Sequence, residues 1–213
     1  MLPAAKKMLY IEHLTKSYGD TVVLDDYSLH VERGALCCIV GENGIGKTTL
    51  IKCCCGLSYF QKGQIRIDGI SIKDDLTAYK KKLAYIPDNP DIYEYMTGYE
   101  YLNFVCDIYR VSDKDRKREF DKYCDKLNIQ KYLPKKIQTY SHGTRQKLVI
   151  LSSLMHKPSM IFMDEPLVGL DEETVFRLKT MMKDYCSHGG SILCSTHLYD
   201  KVSDVCDRKV TFS

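Results

Sequence analysis

An α/β fold built around a parallel sheet is predicted for this chain, and three observations predict it. Apolar segments of strand length alternate with helix-length segments, both in the first half of the chain and again near its end. A glycine-rich run, Gly41-Glu42-Asn43-Gly44-Ile45-Gly46-Lys47-Thr48-Thr49, sits between the apolar segment Leu36–Val40 and the helical start Leu50-Ile51-Lys52. A nearly all-helical block, about residues 87–139, interrupts the alternation. It is bounded by Pro87 and Pro90 on one side and Pro134 on the other, as an inserted subdomain would be.

Taken in order, Met8–His13, Val22–Leu24 and Tyr27–Val31 read as strands joined by short turns such as Tyr18-Gly19-Asp20. That pattern suggests an antiparallel patch. Leu36–Val40, Gln64–Asp68, Leu83–Ile86, Met160–Met163, Ser191–Ser195 and Lys209–Phe212 read as further strands. Helices are expected after the glycine run and over Thr77–Lys82, Gly98–Arg110, Asp113–Leu127, Gly143–His156, Glu172–Cys186 and Leu198–Cys206. On Gly98–Arg110, Tyr101, Phe104, Val105 and Ile108 recur at i, i+3, i+4 and i+7, which predicts a packed face.

At 213 residues, with 44 % hydrophobic and 28 % charged content, the chain is long enough for one domain with a normal core. A net charge of +3 makes no electrostatic case for nucleic acid. No stretch approaches the ~18–20 uncharged apolar residues that span a bilayer. Lys6 and Lys7 interrupt the only candidate for a signal-peptide core, so a cytoplasmic location is expected. The ten cysteines contain no C-x-x-C pair and read as packed thiols. Oxidation of Cys53-Cys54-Cys55, on the helix after the glycine run, is the less favoured alternative.

The glycine run matches G-x-x-x-x-G-K-[ST] in the strand–loop–helix setting that motif requires. Glycines let successive N–H groups turn inward toward phosphate oxygens, and the helix N-terminus adds partial positive charge. Lys47 is placed to neutralise β- and γ-phosphates, and the Thr48 hydroxyl to ligate Mg²⁺. A second element, Met160 to Pro166, is an apolar strand ending in two carboxylates. Asp164 is assigned to the metal, and Glu165 to polarising a water for in-line attack. A third element, Tyr140 to Gln146, places Ser141 and Gly143 at the start of an amphipathic helix. By itself this reads as an N-cap that doubles as an anion site.

Together these elements resemble the ATP-binding subunit of an ABC transporter, and the likeness runs over essentially the whole chain. Gly41 to Thr49 match Walker A, Met160 to Glu165 match Walker B, and Ser141 to Thr144 match the signature motif. Gly169-Leu170-Asp171 resembles the D-loop and Ser195-Thr196-His197 the switch, while Tyr18 matches the aromatic residue that stacks on adenine. The resemblance implies a P-loop NTPase core of RecA-like type, with an N-terminal antiparallel β subdomain and an inserted α-helical subdomain. Residues 1–86 and 157–213 would form the core and β subdomain, and residues 87–156 the helical one. It implies a Mg-dependent ATPase in which Lys47, Glu165 and His197 act on the γ-phosphate. Tyr18, Gly41, Asn43, Gly44, Gly46, Lys47, Thr48 and Thr49 would bind ATP. Ser141 and Gly143 would reach the γ-phosphate held by a second subunit, closing a head-to-tail dimer, with a second copy of this chain as the expected mate. The other implied partner is an integral membrane permease chain, which would hold this subunit at the inner face of the membrane.

Two positions depart from the family pattern. Asp88 stands where the family usually carries the Q-loop glutamine; it is expected to hold a Mg²⁺-bound water and to couple the site to the permease. His142 replaces a glycine of the signature and reads as a tolerated variant facing solvent. Tyr-Ile-Pro-Asp followed by the tyrosine-rich run to Glu100 resembles a bacterial exporter branch with a separate permease chain. Tyr95 and Tyr99 are expected to line a groove for a short permease helix. The alternative reading is a soluble ABC-type ATPase acting in translation or DNA maintenance. It is disfavoured because such chains usually carry two cassettes or a long coiled-coil insert.

Overall fold

The computed structural model describes residues 7–212. Its first layer is an antiparallel sheet of β1 (Lys7–Tyr18), β2 (Thr21–Glu32), β4 (Lys62–Ile67) and β5 (Ile70–Ser71), in the order β2-β1-β4-β5. Where two short strands are expected between Val22 and Val31, there is one strand of 12 residues. Asp26 takes a left-handed φ of 48° and the β1–β2 register shifts beside it, so the chain bulges without leaving the sheet.

The second layer is wholly parallel. It runs β6 (Leu83–Ile86), β7 (Met160–Asp164), β8 (Ser191–Thr196), β3 (Leu36–Val40) and β9 (Arg208–Thr211), in the order β6-β7-β8-β3-β9. Every residue of β7 and β8 is buried, so neither strand shows the in–out alternation of a half-exposed one. The pleat sends β3 side chains into two cores. Cys37 and Ile39 pack with β1, β4 and α1 (Lys47–Cys54) between the sheets. Leu36 and Cys38 pack on the opposite face with α5 (His142–Leu154) and α6 (Glu172–Ser187). The fold is the α/β architecture the sequence predicts, with one parallel and one antiparallel sheet.

Between β6 and β7, α3 (Gly98–Ile108) opens with a capping box. Thr97 Oγ1 accepts from Glu100 N–H, and the Glu100 carboxylate accepts from Thr97 N–H. Ser112 caps α4 (Asp113–Leu127), which ends where Asn128 turns left-handed at φ 49°. The buried line of α3 is Leu102 and Cys106, not the expected Tyr101, Phe104, Val105 and Ile108; Ile108 is 61 % exposed. Tyr101 and Val105 instead join Tyr109 along one wall of a cleft facing β6 and α5. The most buried line of α3 is therefore offset by one residue from the expected one, with Tyr101 only partly buried against the same core.

A helix short of expectation lies near the end. Over Leu198–Cys206 only the 3₁₀ turn Tyr199–Lys201 forms, followed by irregular turns. Val202 and Val205 are its buried apolar anchors, a spacing that tight turns satisfy without a full α-helix.

Nine of the ten cysteines are buried and Cys206 is half-buried. Burial pushes the Cys37 thiol up to about 12 and that of Cys206 up to about 11, and lifts Cys54 and Cys55 well above the ordinary range. The triplet on α1 is thus packing, not a reactive thiol cluster. With native protein and iodoacetamide at pH 8, Cys206 is expected to alkylate first and Cys53–Cys55 only after denaturation. Peptide mass spectrometry reads the order.

Candidate functional site

Parallel strands point their carboxyl ends the same way, so the loops after β3, β6, β7 and β8 open on one edge of the sheet. There they surround a cavity of about 650 Å³, within the range of small-ligand pockets. Asn43, Gly44, Gly46, Lys47, Thr48 and Thr49 line it from the glycine loop and α1. Asp88, Asp164, Glu165 and His197 line it from the three neighbouring strands.

The glycine loop is shaped for an anion. Gly46, at the N-cap of α1, sits at φ 110°, and a Cβ there would stand 2.8 Å from Val23 Cγ1, so only glycine fits the approach. No side chain caps α1, which leaves its first-turn N–H groups facing the cavity. Lys47, 5 % exposed, donates from Nζ to the Gly41 and Glu42 carbonyls, both at 2.7 Å. Gly41 itself lies beneath the loop and supplies that carbonyl, outside the cavity wall.

The acidic pair faces this lysine. Asp164 closes β7 opposite Ser195 of β8, and Ser195 Oγ donates to Asp164 Oδ1. Glu165 follows at φ 46°, a left-handed backbone unusual for glutamate. Its N–H donates to the Ser195 carbonyl at 3.1 Å, and its Oε2 accepts from His197 N–H at 3.3 Å. Its Oε1 is buried without an aligned hydrogen bond. The His197 ring nitrogen Nδ1 stands 2.9 Å from that oxygen and Lys47 Nζ 4.0 Å. The Glu165 carboxylate thus faces both an ammonium and an imidazole within the cavity.

Ser195 was visible in the sequence only as part of the switch, yet it ties the Asp164 carboxylate and the Glu165 backbone N–H to β8. The strand register, which pairs Asp164 with Ser195, is what exposes that role. Gln146 is a second residue without a sequence-level role. Only 2 % exposed, it donates from Nε2 to the Pro87 carbonyl at 3.4 Å, linking α5 to the segment that carries Asp88. Asp88 is exposed at the cavity rim.

Besides Gly41, several of the residues singled out in the sequence lie outside the cavity wall. Tyr18 is 52 % exposed, its hydroxyl 3.4 Å from Ser58 Oγ. Ser141 caps α5, accepting from Thr144 N–H at 3.3 Å, with Gly143 close to Leu170. His142 is exposed, as expected of a solvent-facing variant, with Gly169 of the D-loop beside its ring. Tyr95 and Tyr99 stand apart from the apolar cleft of α3, which is lined instead by Leu57, Tyr85, Tyr101, Val105, Tyr109 and His156. Tyr95 is 83 % exposed.

Replacing Ser195 by Ala frees Asp164 from β8. Turnover of ATP is expected to fall about tenfold, the size of effect that supporting hydrogen bonds have on ligating carboxylates. Steady-state kinetics and a thermal melt separate this from loss of folding.

Comparisons with known proteins identify the family. A family profile described as ABC transporter matches residues 24–168. The putative ABC transporter ATP-binding protein AlbC of Bacillus subtilis is 34 % identical over 193 residues, covering 88 % of this chain and 80 % of AlbC. The uncharacterized ABC transporter ATP-binding protein YdbJ of the same organism is 31 % identical over 207 residues, covering 97 % of this chain and 66 % of YdbJ. This chain therefore spans just under two thirds of YdbJ. A solved structure titled as the ATP binding subunit of an ABC transporter superposes with a TM-score of 0.91 at 30 % identity. That match covers 96 % of this chain and 85 % of the other. The chain belongs to the ABC transporter ATP-binding protein family.

Proposed function

We propose that this protein hydrolyses Mg·ATP to drive a separate membrane permease, by closing head to tail on a second ATP-binding subunit. The observation that carries the reading is the single cavity where Lys47 and Thr48 face Asp164, Glu165 and His197. The α5 N-terminus stands outside it.

The residues fit a hard cation held jointly with phosphate. Among the described residues no three His, Cys, Asp or Glu side chains gather closely enough to hold a metal alone. Thr48 and Asp164 supply two oxygens, and phosphates and water would complete the shell, with Asp88 holding one such water. Bound Mg²⁺ would supply charge neutralisation across the β- and γ-phosphates. The protein's own work is then distributed as follows. Lys47 leaves the Gly41 and Glu42 carbonyls for phosphate oxygens, and the uncapped first turn of α1 receives the same anion. Glu165 Oε1 takes the proton of the attacking water, and His197 supports the γ-phosphate. Ser141 and Gly143 of the mate would meet that phosphate from the far side, so closure depends on an intact nucleotide.

The permease is read onto the α3 cleft, a groove of about 330 Å³ with an apolar floor and Lys80 at its wall. Tyr85 lines both this groove and the ATP cavity, so an occupant here touches the segment leading to Asp88. A short amphipathic cytoplasmic helix of the permease fits its aromatic lining. Among the described residues no helix is long and apolar enough to cross a membrane. Attachment to the inner membrane face would therefore run through this contact.

Glu165→Gln is expected to bind ATP with near-normal affinity, to lose turnover by at least about a hundredfold, and to sediment as a dimer in Mg·ATP. A variant that stays monomeric with saturating ATP, and with no other cassette able to pair with it, overturns the clamp. Val105→Asp with Tyr109→Ala is expected to abolish co-purification with a co-expressed permease chain, while ATP binding by the isolated subunit persists. Retained co-purification removes the groove assignment.

A further inference from the structure

We propose that Lys16 is a working part of the adenine platform: it lies against one face of the Tyr18 ring and strengthens the stacking of a base on the other. The proposal rests on the reading of Tyr18 as the residue that stacks on the base.

Lys16 is 7 % exposed, an unusual position for a lysine, and among the described residues it has no carboxylate partner within ion-pair distance. What it does have is an aromatic face. Its Nζ stands 4.2 Å from the Tyr18 ring centroid, well inside the range of a cation–π contact. Both residues project from β1 two positions apart, so the pleat sets them on the same side of the strand. The Tyr18 hydroxyl reaches toward Ser58, in the turn after α1, and that contact fixes the ring's tilt. Thr49, which lines the ATP cavity, also lies within reach of the same hydroxyl, so the ring stands beside the phosphate site.

Because Lys16 is buried and Tyr18 is half-exposed, the ring's covered face is the lysine face and its open face is the one a base can use. Two consequences follow. The ammonium withdraws π-density from the ring, which favours stacking with an electron-rich purine. It also holds the ring in one orientation before nucleotide arrives, lowering the ordering cost of binding. Lys16 is thus a positioning residue that acts through Tyr18. It has no role toward the phosphates.

The test compares ATP with inorganic tripolyphosphate, which has the same charge-bearing tail and no base, by isothermal titration on the full chain. In Lys16→Met, affinity for ATP is expected to fall about fivefold, the size of one partly desolvated cation–ring contact, with tripolyphosphate unchanged. Lys16→Arg keeps the cation and is expected to bind ATP nearly as the parent does. In a Tyr18→Ala background, Lys16→Met is expected to cost nothing further. Equal losses for ATP and tripolyphosphate would overturn the proposal, because Lys16 would then act on the phosphate loop or the fold. So would unchanged ATP affinity in both Lys16→Met and Lys16→Gln while Tyr18→Ala weakens it, which leaves the Tyr18 reading standing. If Tyr18→Ala spares ATP as well, the platform reading itself falls, and this inference with it. A melt of each variant identifies any loss that comes from unfolding, and Lys16→Gln serves where Lys16→Met fails to fold.

Discussion

Parallel register across β7, β8 and β3 is the constraint on which the site depends. Asp164 stands opposite Ser195 and Val40 opposite Thr196, so three loops leave the sheet at one level. A slip of one residue would invert every side chain on the strand concerned. Such a slip would carry Asp164 away from Ser195 and bury a carboxylate without a partner. The wholly buried strands resist it, because each packs apolar side chains on both of its faces. The chemistry at the sheet edge is therefore held in place by packing several residues away.

Lys47 and Glu165 have partners within the site before any ligand arrives. Lys47 is satisfied by two carbonyls and lies near Glu165, which in turn faces His197. Leaving an ammonium or a carboxylate alone at such depth would be costly. The Lys47–Glu165 contact is long, at 4.0 Å. Arriving phosphate can thus replace carbonyls at Lys47 without first breaking a tight ion pair. The left-handed backbone of Glu165 belongs to the same economy of placement, turning its carboxylate back over the strand end.

Much of this was legible in the sequence, and the reasons differ by element. The glycine run and the strand ending in Asp164-Glu165 were readable because both depend on local chemistry: positive φ at Gly46, apolar burial through Met160–Met163. Family resemblance supplied the rest of the site residues, since nothing local distinguishes Ser141 from an ordinary helix cap. The face of α3 was misjudged because Tyr101, Phe104, Val105 and Ile108 satisfy helical periodicity equally well. Only burial in the folded chain shows that Leu102 and Cys106 go inward. The Leu198–Cys206 segment failed as a helix for want of a continuous apolar stripe. Ser195, Gln146 and Lys16 carry roles that arise from neighbours distant in sequence or from burial, and residue type alone does not announce them.

Tyr85 offers a last consequence. One phenol ring forms part of the wall of two chambers that share no other aromatic residue. Anything wedged against it from the apolar side reshapes the polar side without entering it. The two chambers are therefore mechanically joined through a single side chain.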